Sequence, residues 1–182
     1  MSFMLRFDRH MAGHWAGRYD EDLTPVERTA ENHILGEIVP RARAVGFLSH
    51  AHFFELCCWK SPRSKRRCLM NTEQFVEEVT RVALSTPSEQ LRIEALTLLS
   101  GVGWPTASVI LHFCHREPYP ILDFRALWSL GMDSRPDAYD FEFWWGYTLH
   151  CRGLAQELGT DMRTLDKALW QYSKENQASW DY

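Results

Sequence analysis

The stretch Leu98-Leu99-Ser100-Gly101-Val102-Gly103-Trp104-Pro105-Thr106-Ala107-Ser108-Val109-Ile110-Leu111, with Tyr119-Pro120-Ile121-Leu122-Asp123-Phe124-Arg125 soon after it, decides how this chain reads. Leu91, Ala95, Leu98 and Leu99 recur at helical spacing before the glycines, and Ala107, Ile110 and Leu111 do so after them. Two short helices therefore flank a turn at Ser100 to Trp104. Two glycines in so short a link permit positive φ and leave the main chain unshielded, so an anionic oxygen can come close. Pro105 suits the first turn of the second helix, where no N–H is needed. The amides at that helix start favour an anion such as a phosphate, a contact that positions a nucleic acid without reading its sequence. A Gly-x-Gly turn is equally compatible with a tight link in any helical protein, Val102 then serving only as a core plug.

Asp123 stands twenty positions beyond Gly103 and directly before the apolar segment Phe124 to Leu130, which ends at Gly131. By residue type it is a helix N-cap. Hairpin and aspartate in this register resemble the helix-hairpin-helix DNA glycosylases. The adenine-mismatch members show the nearest wording, a Leu-Pro-Gly-Val-Gly hairpin, Thr-Ala after it and Phe-Pro-Ile-Leu-Asp at the same distance; here Ser100 replaces the proline and Tyr119 the phenylalanine. The resemblance covers residues 87–131, about a quarter of the chain.

It implies an all-α fold of two small helical lobes, the middle helices in one and the terminal segments in the other, with a DNA groove between them. It also implies Asp123 as the catalytic carboxylate, with Gly101, Val102, Gly103, Trp104 and Thr106 at the DNA backbone. Breaking an N-glycosidic bond builds positive charge on the sugar, which an ionised carboxylate stabilises directly or by orienting the attacking water. The base must first leave the stack, at a cost of a few kcal/mol that is smallest for damaged or mispaired bases.

Three departures from the family pattern narrow the expectation. Members that also cut the backbone carry a Schiff-base lysine two places after the second hairpin glycine, where this chain has Pro105. The implied enzyme is therefore monofunctional and leaves an abasic site. Lys60 could reach the pocket only through tertiary structure. Second, Cys57, Cys58, Cys68, Cys114 and Cys151 include no closely spaced quartet, so no iron–sulfur cluster or other cofactor is expected. His112, Cys114 and His115 lack a fourth ligand and read as core or capping residues rather than a metal site. Third, Phe124-Arg125-Ala126-Leu127 replaces the family's small residue, Asn and Val-x-Arg-Val, which places Arg125 beside the carboxylate, ready to touch the DNA backbone or pair with Asp123.

With 182 residues, 45% of them hydrophobic, the chain can bury one good core, and no composition shift demands a second domain, so residues 1–182 read as one domain. No apolar run reaches membrane-spanning length and no apolar signal core opens the chain, which points to a cytoplasmic protein. An odd number of cysteines, two of them adjacent, fits a reducing compartment. Helices are expected near 24–38, 49–59, 72–84, 87–99, 105–115, 123–130, 140–158 and 161–175. Asn71 or Thr72 caps the third, Thr86 with Glu89 forms a capping box for the fourth, and Gly159 stops the penultimate one. Residues 1–20 and 176–182 show no clear periodicity. The last helix reads as ordinary packing, with Leu165, Leu169 and Trp170 on one side and Arg163, Lys167 and Lys174 toward solvent.

A net charge of −4 is unfavourable for a duplex-binding protein, but distribution matters more than the total. Lys60, Arg63, Lys65, Arg66 and Arg67 lie between Leu56 and Thr72 with no acidic residue among them. Lys60 and Arg63 head this basic turn and suit a grip on the strand opposite the hairpin; a solvated interhelical loop balanced by Glu73, Glu77 and Glu78 is the plainer reading. Trp59 and Tyr119 are the aromatic candidates to line a base pocket or fill the gap that an extruded base leaves, with Trp104 in the hairpin a third. The expected partner is duplex DNA with an extruded base, bound by a monomer. A DNA-binding module that keeps the hairpin without chemistry, perhaps in a repair or defence assembly, and an interaction protein whose glycine turn only packs helices remain the alternatives.

Overall fold

The computed structural model describes residues 3–134 and 136–178. The order is α1 (Ala12–Asp22), α2 (Pro25–His33), a π turn (Ile34–Ile38), α3 (Val39–Val45), α4 (His50–Lys60), a 3-10 turn (Pro62–Ser64), α5 (Lys65–Cys68), α6 (Glu73–Ser85), α7 (Glu89–Leu96), α8 (Trp104–Cys114), α9 (Phe124–Ser129), α10 (Phe141–Leu158) and α11 (Met162–Asn176). The protein is all-helical, with no strand among the described residues. The chain divides into two compact units, one from Met1–Leu23 with Pro120–Tyr182 and one from Thr24–Tyr119.

Several helix boundaries follow from their caps. Thr72 accepts from Phe75 N at 3.3 Å and starts α6. Gly159 closes α10 with φ 61°. The expected cap at Thr86 is corrected: Ser88 accepts from Leu91 N and begins α7, while Thr86 accepts from Ser88 N one step earlier. The helix expected to stop at Ile38 runs on to Val45. A π turn in which Val39 N bonds to Ile34 O resets the register, so Pro40 falls in the first turn of α3, where a missing N–H costs little.

In the terminal unit, α1 forms within a segment that lacked visible periodicity. Its buried face is Ala12, Ala16 and Tyr19, and it packs on α11. That contact corrects the solvent-facing assignment of two lysines, because Lys167 Nζ reaches Asp20 at 2.6 Å and Lys174 Nζ reaches Asp22 at 3.2 Å. Trp144, Tyr147, Cys151 and Leu165 are the fully buried centre of this unit. In the middle unit the centre is Ile38, Phe53, Leu56, Val76, Ile93, Leu96 and Ile110, drawn from helices that pack around the apolar α8.

Candidate functional site

The glycine turn lies in the middle unit. It spans Thr97 to Gly103, because α7 tightens after Leu96 into i→i−3 bonds from Thr97, Leu98 and Leu99. Gly101 adopts φ +86°, and a methyl there would stand 2.7 Å from Cys68 Sγ, 3.0 Å from Cys68 N and 3.1 Å from Arg67 Cβ. Conformation and space both demand glycine at this position. Gly103 differs. Its φ of −104° and ψ of 178° suit any residue, and a Cβ would meet nothing nearer than Pro105 Cδ at 3.9 Å.

Gly103 is the N-cap of α8 and provides no side-chain cap. The other described helices of eight or more residues that start from an extended residue are capped by Thr24, Ser49, Thr72, Ser88, Asp140 or Asp161. Val102 is 7% exposed and Thr106 6% exposed, so both side chains belong to the core and only their main chain borders the turn. Trp104 and Pro105 are half-buried beside the exposed Gly103.

A second segment holds the turn in place. Asn71, buried at 8% exposure, donates Nδ2 to Ser100 O at 3.0 Å and to Cys68 O at 2.9 Å, while its Oδ1 accepts from Ser100 N at 2.8 Å. Matched donors and acceptors fix the amide orientation. Asn71 is therefore a turn clamp rather than the helix cap for which its sequence position qualified it. The basic run leads straight into this clamp: Arg63, Lys65, Arg66 and Arg67 are exposed, and Lys60 is half-buried at the end of α4. The run packs against the turn, within the same unit. Trp59 is half-buried, its ring edge-on to Phe113 at 5.2 Å.

Asp123 lies in the terminal unit, at the end of a buried strap. Ile121 and Leu122 are 3% and 0% exposed, whereas Asp123 is half-buried. Tyr147 Oη donates to Ile121 O at 2.8 Å, and Ile121 N donates to Asp166 Oδ1 at 3.3 Å, so side chains from α10 and α11 hold both faces of one peptide. Asp166, 7% exposed, is in turn paired with Arg163 at 2.9 Å. Burial first, then the neighbouring Cys151, Asp166 and Asp123, holds the Tyr147 phenol well above its usual range, so it stays a neutral donor. Asp123 Oδ1 accepts from Arg125 N at 2.9 Å and caps α9. The Arg125 guanidinium rests over the rings of Phe124 at 5.2 Å and Trp170 at 5.4 Å.

Tyr119 is the sequence candidate that the structure removes from the base-contact set. It is fully buried, its hydroxyl donates to Glu89 Oε2 at 2.7 Å, and its carbonyl lies 2.7 Å from His112 Nδ1. A ring held this way cannot stack on a base without leaving the core. Beside it, Arg92 is 5% exposed and bonds to Ala83 O, Thr86 O and Glu89, tying α6 to α7 beneath the turn.

The thiols offer no nucleophile. Burial pushes Cys114 up to about 12 and raises Cys57 and Cys151 further, so the reactive thiolate is scarce at neutral pH. Among the described residues no group of three or more His, Cys, Asp and Glu side chains could hold a metal ion, and no helix is long and apolar enough to cross a membrane.

His115 meets N–H groups at both ring nitrogens, Arg92 Nη1 at 2.7 Å from Nε2 and Glu117 N at 2.9 Å from Nδ1. Burial, then Arg92, lowers its pKa, and burial lowers that of His150. The unfolded chain therefore takes up these protons first. Stability is expected to fall as pH drops below about 6.5, the ordinary histidine value, and to stop changing on their account below the folded values. Thermal unfolding should show a lower Tm at pH 5.5 than at pH 7.5, and the double variant His115→Asn, His150→Gln should flatten that difference; an equal Tm at both pH values in the parent protein would contradict it.

No protein-family model, no curated protein and no solved structure matches this chain.

Proposed function

We propose that this protein is a monofunctional DNA N-glycosylase, releasing a modified or mispaired base and leaving an abasic site. The observation that carries the reading is the presentation of Asp123. A strap anchored by Tyr147 and Asp166 brings one carboxylate, half-exposed, out of an otherwise buried segment. A fixed negative group of this kind suits a sugar that becomes cationic as its base departs, because its orientation costs no reorganisation at the moment of reaction.

The Thr97 to Gly103 turn supplies the second half of the reading, as a phosphate contact. Gly103 is not required by backbone conformation or by packing. Its value is the bare main chain that it leaves at the start of α8, where an anion can approach the amides. Gly103→Ala is expected to change stability by only about 0.5–1 kcal/mol, since alanine is a poorer N-cap than glycine, while weakening duplex binding at least severalfold. Fluorescence anisotropy with a labelled duplex checks this, and unchanged affinity would remove the turn from the DNA contact. Expression of base release itself is tested by exposing DNAs with altered bases to the protein and counting abasic sites.

A further inference from the structure

Resting on that reading and extending it, we propose that the segment Arg63 to Arg67 and the glycine turn form one rigid surface for the phosphates of duplex DNA, with Asn71 as the residue that sets their spacing. The sequence alone placed the basic run on the strand opposite the turn. The structure joins the two within one unit: Gly101 approaches Arg67 and Cys68 so closely that no side chain fits, and a single buried amide bonds to Cys68 O on one segment and to both main-chain groups of Ser100 on the other.

The charges are arranged for an external polyanion. Cations such as Arg18, Arg92, Arg163 and Lys167 each pair with a carboxylate of the chain. Among the described residues none of Arg63, Lys65, Arg66 and Arg67 has such a partner, and all four are exposed; Lys65 Nζ instead lies 5.9 Å from the Phe54 ring centroid. In a chain of net charge −4, this concentrates unneutralised positive charge at the position of the turn. Exposed cations without internal partners release the counterions of DNA on contact, which provides affinity without sequence preference. Anchoring them to the turn lets several phosphates of one strand be met at fixed intervals, so little ordering cost is left for binding.

The test uses an undamaged labelled DNA duplex and the full chain, over a salt series. Replacing Arg63, Lys65, Arg66 and Arg67 together with Gln should weaken binding at least tenfold at low salt. It should also reduce the slope of log K against log salt by about 3–4, at roughly 0.9 per lost phosphate contact. All four positions are exposed, so circular dichroism should show an intact fold. Asn71→Ala keeps every charge but releases the spacing, so affinity and slope should both fall in protein that remains helical at the assay temperature; a purely structural Asn71 would lower Tm and leave the slope unchanged. Unchanged affinity and slope in the four-residue variant would overturn the proposal. Abasic sites formed by a protein whose binding ignores these substitutions would uphold the glycosylase reading and remove this surface. The expected salt-dependent binding with no base release would do the reverse.

Discussion

Asp123→Asn is expected to reduce base release by at least about 10²–10³-fold, the usual consequence of removing one preorganised electrostatic stabiliser, while the fold and duplex binding persist. Asparagine caps helices about as well as aspartate, so α9 should keep its start and stability should change by less than about 0.5 kcal/mol. The strap is unaffected, because Tyr147 and Asp166 grip the Ile121 peptide and not the carboxylate. Asp123→Ala is the poorer experiment, since losing the cap costs about 1 kcal/mol and confuses chemistry with stability. Single-turnover release measured beside Tm separates the two effects, and release at the parent rate by Asp123→Asn would remove this residue from the mechanism.

Gly101→Ala is expected to have the largest effect on stability, about 2–4 kcal/mol. Holding a non-glycine residue at positive φ costs about 1–3 kcal/mol, and forcing a methyl into a packed site adds about 1–3. At φ +86° the methyl would meet Cys68 Sγ at 2.7 Å, and the buried thiol has little room to withdraw. Urea unfolding reads the change as a shift in midpoint at constant slope. A loss smaller than about 0.5 kcal/mol would show that the turn rearranges easily, and the rigid link between turn and basic segment would then fail with it. The two glycines of the same motif thus carry different expectations, Gly101 for stability and Gly103 for binding.

Much of the helical layout was legible in the sequence, because apolar periodicity and caps act locally. Thr72, Asp123 and Gly159 mark helix ends by their own chemistry. Where the reading failed, the cause was tertiary or a break in local propensity. Gly13 and Gly17 interrupt α1 and hid the buried set Ala12, Ala16 and Tyr19, although no neighbour stands within 4 Å of a Cβ at either glycine. Pro40 looked like a stop until a π turn shifted the register ahead of it.

The candidate site divides in the same way. Asp123 and the glycine turn could be named from residue type and spacing. The groups that position them could not, since Asn71 is 29 residues from Ser100 and Asp166 is 45 from Ile121. Asn71 carried one signal, a polar side chain competing with Thr72 for a single cap. Asp166 carried another, an acidic residue next to Leu165 on the packing side of α11. Tyr119 misled because an aromatic before a functional loop reads the same whether it faces a ligand or the core; only the hydrogen bond to Glu89 decides.

The central claim is tested most directly by incubating the protein with duplex DNAs that each carry one altered or mispaired base, then assaying abasic sites and strand breaks separately. The account predicts abasic sites on at least one of these DNAs, in strands that stay intact until treated with alkali, because Pro105 occupies the place of a Schiff-base lysine. Binding to every duplex with no abasic site on any of them would contradict it.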